Sequence, residues 1–281
     1  MKKKTLFLLF FITSLLAFSE EKITISNILI TGNKITKEGV ILRELSFKKK
    51  EIINKNDLEI KIGKSRQNLI NLKLFNFVKI TTLIKGNNAD IIIDIIERWY
   101  FWPYPILEVS ERNFNSWWDD FKASNYSDFS RLNYGLFLNW ENFRGRNELI
   151  QFKIRKGFKE HYLFSYQVPY FDKKKKVGIN TNLQLFRRKK SFYKTENNTL
   201  IYYTNNDSYS TKDYEFNTEI LYRKGVHKTH HLKYQYFLSN VDQEIINRNS
   251  RYLNNGYNTT GSYSKLTYQF TNENRDYVFY Y

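Results

Sequence analysis

From Trp99 onward, apolar and polar positions alternate with a period of two, the pattern of strands that bury one face. Leu132, Tyr134, Leu136, Leu138 and Trp140 alternate with Asn133, Gly135, Phe137 and Asn139. Ile150, Phe152 and Ile154 alternate with Gln151, Lys153 and Arg155. The same alternation returns at 162–168, 177–185, 214–222, 232–238 and 266–270, and a less regular stretch near 104–109 opens the series. About eight antiparallel strands are expected, each with one greasy, aromatic-rich face and one polar face. Their connections are unequal. Arg144-Gly145-Arg146 and residues 157–160 are tight, whereas 189–211 and 241–261 are long and polar.

A soluble sandwich also alternates. A transmembrane barrel asks in addition for segments of ~10 residues, aromatic rings near the ends of the lipid-facing rows, and turns of unequal length on its two sides. It also lets the polar face carry Lys, Arg, Glu and His without a partner sheet, because that face looks into a watery lumen. The pattern favours the barrel.

Before Trp99 the periodicity changes. Ile23 to Ile30 reads as a strand and Thr31-Gly32-Asn33 as a turn. Thr36 can cap a helix that turns Val40, Ile41 and Leu45 inward, and Asn56 or Asp57 a second helix through Leu69, Leu72 and Leu74. Phe77 to Ile84, a turn at Gly86-Asn87-Asn88, and Ala89 to Ile96 complete a β-α-α-β-β module of fewer than 80 residues.

The amino terminus adds a compartment. Lys2, Lys3 and Lys4 precede an apolar run from Thr5 to Leu16, and Ala17-Phe18-Ser19 supplies small residues for cleavage before Glu20. A signal peptide at 1–19, a module at 20–98 and a barrel region at 99–281 are expected. No cysteine follows the apolar run or occurs anywhere, which excludes a lipoprotein and a disulfide framework. Export argues against nucleic acid as partner despite a formal charge of +17, and much of that charge sits in expected loops such as Lys173 to Lys176.

Candidate chemistry is sparse. His227, His230 and His231 cluster without a matching set of ligands, so ordinary lumen or turn residues are the better reading. Trp117-Trp118-Asp119-Asp120 fits an interfacial aromatic belt in the first loop. Glu196 and Glu219 are a conceivable hydrolase pair, but sequence supplies no distance between them. No nucleophile elbow, P-loop or dinucleotide fingerprint is present. No catalytic set, metal or cofactor is expected.

At this point the residues resemble a known family. Ser26 to Thr36, reading SNILITGNKIT, resembles the opening strand and turn of a POTRA domain, and Asn68 to Val78 resembles its second helix and the LFxxV entry to the next strand. Farther on, Asn142 to Glu148 is similar to the first tight hairpin of the BamA/TamA superfamily barrel, Tyr166 to Tyr170 to its YxVPY strand end, and Asn272 to Tyr277 to a segment ending a mid-barrel strand. The resemblance implies an α+β POTRA domain followed by an all-β antiparallel transmembrane β-barrel, here with about eight strands of the family's sixteen. It also implies a function without covalent chemistry, the assembly and insertion of unfolded outer-membrane proteins by strand addition. The partners implied are the outer-membrane bilayer, unfolded outer-membrane proteins, and periplasmic chaperones or assembly lipoproteins, with the POTRA domain in the periplasm. The strand-addition edge would be Phe77, Val78, Lys79, Ile80, Thr81, Thr82, Leu83 and Ile84, and the lateral seam strand would carry Tyr104, Ile106, Leu107 and Val109.

The family's later strands and inward Arg-Gly-Phe loop have no counterpart before Tyr281, so a fragment or truncated product is expected, with closure of eight strands on themselves as the alternative. A two-partner secretion transporter and a small passive or structural barrel are the competing functional readings. The first would ordinarily place a plug helix before the POTRA unit, for which residues 20–22 leave no room.

Overall fold

The computed structural model describes residues 21–273 apart from 111–113, 130, 173, 175, 206, 225–226 and 254–255. The expected signal peptide, Lys173 and Lys175 of the lysine run, and residues 274–277 of the last family-like segment lie outside the described residues. Chain contacts divide the molecule into two units between Arg98 and Trp99.

The first unit runs β1 (Lys22–Thr31), α1 (Glu38–Arg43), β2 (Ile52–Asn54), α2 (Lys55–Asn71), β3 (Phe75–Lys85) and β4 (Asn88–Glu97). Its sheet has the order β2-β1-β4-β3, with β1 and β4 parallel and the other pairs antiparallel. Alternate residues of β1 and β4 (Ile23, Ile25, Ala89, Ile91, Ile93 and Ile95) join Ile41, Phe47, Leu58 and Leu69 in one core. The period-2 and period-3.6 faces therefore meet, as a half-buried sheet covered by amphipathic helices must. Gly32 permits the turn after β1: it sits at φ +85°, and a Cβ there would lie 1.9 Å from the Ile95 carbonyl oxygen.

Several local expectations are corrected. Thr36 lies one residue before the cap position of α1, which is Lys37. Thr36 is buried, and the N–H groups of Ile35 and Thr36 donate to the Glu97 carboxylate at 2.9 and 2.6 Å, so a side chain from the end of β4 satisfies them. Helix α2 starts from Asn54, ahead of Asn56 and Asp57, because β2 runs directly into it. It ends at Asn71, short of Leu74, where Lys73 takes φ +57°. Strand β2 itself, three residues long, is too short to register as a periodicity; pairing with Lys22 to Thr24 of β1 creates it.

The second unit contains β5 (Phe101–Val109), α3 (Phe114–Ala123), β6 (Leu132–Phe143), β7 (Glu148–Gly157), β8 (Lys159–Val168), β9 (Val177–Arg188), β10 (Lys190–Glu196), β11 (Thr199–Thr204), β12 (Thr211–Lys224), β13 (Lys228–Val241), α4 (Gln243–Arg248) and β14 (Thr260–Asn272). All eight expected segments are strands of one antiparallel sheet, in the order β14-β13-β12-β9-β8-β7-β6-β5. Register aligns their greasy faces into rows, for example Leu138, Phe152, Phe164, Leu183, Phe216 and Tyr236 across six consecutive strands. The polar faces align likewise: Gln151 donates to Asn139 at 3.0 Å, Gln235 to Glu215 at 2.9 Å, and Asn180 to Glu219 at 2.7 Å.

Four elements of this unit lie in segments expected to be loops. The first loop holds α3, whose rings Phe114, Trp117, Trp118 and Phe121 recur at helical spacing and pack on one another. The loop at 189–211 folds back as the β10–β11 hairpin through Asn197 and Asn198, both at positive φ, the requirement of a tight type I′ turn. The loop at 241–261 contains α4, capped by Asp242, whose carboxylate accepts from the Glu244 N–H at 2.8 Å.

The eight-stranded sheet is open. Among the described residues β5 pairs only with β6 and β14 only with β13, so the alternative of eight strands closing on themselves is not what forms. No described helix is long and apolar enough to cross a membrane, which leaves crossing by strands unaddressed.

Candidate functional site

The structural features that chemistry can use are sheet edges, of which β3 in the first unit and β5 in the second are the two expected from the sequence. In the first unit β3 is the edge opposite the short β2, and the residues Phe77 to Ile84 pair with Ile96 to Ala89 of β4 on one side only. Val78 faces the core, and Ile80 packs against it, while Phe77 and Leu83 on the opposite face are each 48% exposed. An exposed edge strand presents a row of backbone donors and acceptors to any chain that can extend beside it. One rung is already taken. Arg66 of α2 donates from Nε to the Val78 carbonyl oxygen at 3.1 Å, a contact that sequence spacing could not have revealed.

In the second unit β5 is one edge and β14 the other. The four seam residues fall on two faces. Tyr104 and Ile106 lie with Glu108 on the polar side, where Tyr104 stacks on Phe137 at 5.9 Å. Leu107 and Val109 lie with Phe101, Pro103 and Pro105 on the greasy side, and Leu107 is 77% exposed. Pro103 and Pro105 are a signal in the sequence that the strand pattern alone does not carry. The chain has 3 prolines and β5 holds two of them, which is itself a sign of an edge, since proline cannot donate to a ladder on both sides.

The other singled-out residues do not assemble. His231 Nδ1 is 2.8 Å from Glu219 Oε1, His230 Nδ1 is 2.8 Å from the Tyr268 hydroxyl, and His227 Nδ1 is 2.7 Å from the Glu273 carbonyl oxygen, so the three imidazoles have separate partners. No cluster of three or more His, Asp or Glu among the described residues could hold a metal ion. Glu196 pairs with Lys194 on the separate β10–β11 hairpin, away from the sheet position of Glu219. Trp118 and its neighbours belong to α3, whose acids are already engaged: Asp119 with Lys122 at 3.1 Å and Asp120 with Arg131 at 2.9 Å.

The tight connections are built from polar locks. At the β6–β7 hairpin Asn142, Arg144, Gly145 and Asn147 all have positive φ. Asn142 Oδ1 accepts the Asn147 N–H at 2.8 Å, and the fully buried Glu148 carboxylate receives Arg144 at 2.9 and 3.0 Å and the Tyr166 hydroxyl at 3.0 Å. Between β8 and β9, Asp172 accepts the N–H groups of Val177 and Lys176, each at 2.7 Å; these bonds, that of Val177 foremost, hold its carboxyl below the usual carboxylate range.

Comparison with known proteins follows this division. Residues 23–98 match the POTRA family model, described as surface antigen variable number repeat. BamA from Haemophilus ducreyi lacking POTRA domains 1–3 is similar in structure at a TM-score of 0.50 and 14% identity, over 88% of this chain and 43% of that one. CdiB from Acinetobacter baumannii (TM-score 0.41, 15% identity, 88% of this chain and 39% of that one) and CdiB from Escherichia coli (0.42, 9%, 79% and 37%) also align. The chain spans less than half the length of each of these structures. Comparison with curated proteins by sequence returns no match. Residues 23–98 therefore match a POTRA domain, and the fold of the chain, that domain followed by antiparallel strands, is similar to that of BamA.

Proposed function

We propose that this protein works in the outer membrane as an assembly and insertion component, templating the addition of strands from unfolded outer-membrane proteins. The observation that carries the reading is that one chain joins a POTRA domain with an edge strand, β3, to a sheet with an edge strand, β5, and a continuous exposed greasy face. Strand addition recognises a backbone, so it can serve clients of unrelated sequence. In lipid an unpaired backbone group costs several kcal/mol, and lending it a partner edge is the work that such a protein does.

Dimensions support membrane residence. At ~3.3 Å per residue, the 14 residues of β12 reach about 46 Å, and a tilt of ~45° projects this to about 33 Å, against a hydrocarbon core of ~30 Å. Leu183, Ile220 and Leu266, exposed at 48, 50 and 69%, belong to greasy rows that water would penalise and acyl chains would not. The β6–β7 and β8–β9 connections share the sheet end at which the chain enters β5 from Arg98, while the β7–β8 turn and the long connections at 189–210 and 242–259 lie at the other, which fits short turns on the periplasmic side with the POTRA domain. The partners of this reading are the bilayer, unfolded outer-membrane proteins, and the periplasmic chaperones or assembly lipoproteins that deliver them.

Depletion in the native host is the test. Unrelated outer-membrane proteins should accumulate unfolded when this protein is removed; normal assembly in its absence would reject the reading.

A further inference from the structure

The hydrogen bonds at the two ends of the β5–β6 ladder fix which way each β5 residue turns its backbone. The Tyr100 carbonyl oxygen accepts the Glu141 N–H at 2.7 Å, and the Ser110 N–H donates to the Arg131 carbonyl at 2.9 Å. Between these points the register runs without a shift, so even-numbered residues of β5 bond to β6 and odd-numbered residues turn their N–H and C=O groups to the free edge. Of the five odd positions, Phe101, Leu107 and Val109 carry an N–H, whereas Pro103 and Pro105 carry none, and the Phe101 carbonyl already accepts the Trp99 indole N–H. The free edge of β5 is stripped of donors in its middle and complete toward α3.

The opposite edge gives the contrast. The Val241 N–H donates to the Thr259 carbonyl, and the Glu273 N–H to the His227 carbonyl, each at 2.8 Å, so even-numbered residues of β14 face outward. From Thr260 to Asn272 none of them is proline, and the β14 edge keeps every donor.

We propose that Pro103 and Pro105 confine strand capture at β5 to its Leu107–Val109 end, leaving the half next to the POTRA junction unpaired. This rests on the strand-addition reading and says where on the edge the incoming strand binds. A strand laid along all of β5 would leave the acceptors facing Pro103 and Pro105 unmatched, and a buried acceptor without a donor is penalised more heavily than the bond it replaces is worth. Pairing at Leu107 and Val109 meets no such defect. The captured strand is held by one end and stays free to be released or to zip onto its own neighbours.

The absence of cysteine makes the test free of background. Single cysteines at Phe101, Leu107 and Val109 of the full chain in lipid vesicles are challenged with a urea-unfolded eight-stranded outer-membrane barrel protein carrying one cysteine in its last strand. Disulfide yield is read at each position. Yields at Leu107 and Val109 at least fivefold above Phe101 are expected, and the P103V/P105V double variant, which supplies both donors on strand-favouring β-branched residues, should raise the Phe101 yield severalfold. Even yields along β5 in the parent chain, or a pattern unchanged in the double variant, would overturn this inference while leaving strand addition standing. Adducts at none of the three positions would remove the strand-addition reading and this inference with it.

Discussion

Replacing Glu148 by alanine tests whether the β6–β7 hairpin is held by its buried carboxylate. Three non-glycine residues there, Asn142, Arg144 and Asn147, adopt left-handed backbone, which costs on the order of 1 kcal/mol each and less for asparagine. Glu148 offsets that strain through Arg144 at 2.9 and 3.0 Å, Arg146 at 3.3 Å and the Tyr166 hydroxyl at 3.0 Å. The carboxylate side chain is 0% exposed, but Arg144 and Arg146 are 53 and 42% exposed, so solvent screens their half of each pair to about 0.5–1 kcal/mol. The tyrosine bond adds about 1 kcal/mol. Loss of the group should therefore cost about 2–3 kcal/mol, below the 3–5 typical of a pair buried on both sides. Urea unfolding of the vesicle-inserted protein, followed by mobility of unheated samples on a semi-native gel, reads this directly. With a slope of about 2 kcal/mol per molar urea, the midpoint should fall by roughly 1–1.5 M. A shift below about 0.2 M would show that the turn residues hold the hairpin by themselves.

Two predictions concern the POTRA domain. Gly32→Ala should unfold it or lower its melting temperature by well over 10 °C, because the added Cβ meets the Ile95 carbonyl oxygen at 1.9 Å, whereas Gly86→Ala, also at positive φ but in open space, should cost only about 1 kcal/mol; thermal melts of the two variants separate steric from conformational cost. The second is acid stability. The Lys61 ammonium bonded to Glu51 holds this carboxyl below its ordinary value of 4.5. A depressed folded-state value means that the unfolded chain takes up the proton first, so the contribution is complete above about pH 4.5 and is lost as pH falls through the lowered value. Glu51→Gln should flatten that part of the stability curve, and an identical acid limb in the variant would contradict the assignment.

The sequence alone determined the eight strands of the sheet and their two faces. Alternation is a property of the pleat, so Leu138, Phe152 and Phe164 announce their face whatever strand comes to lie beside them. Every element of the first unit except β2 was legible for the same reason, through Ile91, Ile93 and Ile95 at period two and Val40, Ile41 and Leu69 on helical faces. The aromatic spacing of α3 and the Asn197-Asn198 turn were also written locally and passed unread within long polar loops. Tertiary structure decided the rest. Strand β2 exists because β1 offers it an edge, and the approach to α1 is satisfied by Glu97, 61 residues away from Thr36 in the chain. Glu148 becomes buried only when Arg144 and Tyr166 converge on it. Which strands are edges, and which way the prolines of β5 face, depends on the register of the whole ladder. A strand's own residues encode which of its faces is greasy, but only its neighbours settle which of its hydrogen bonds remain unmade.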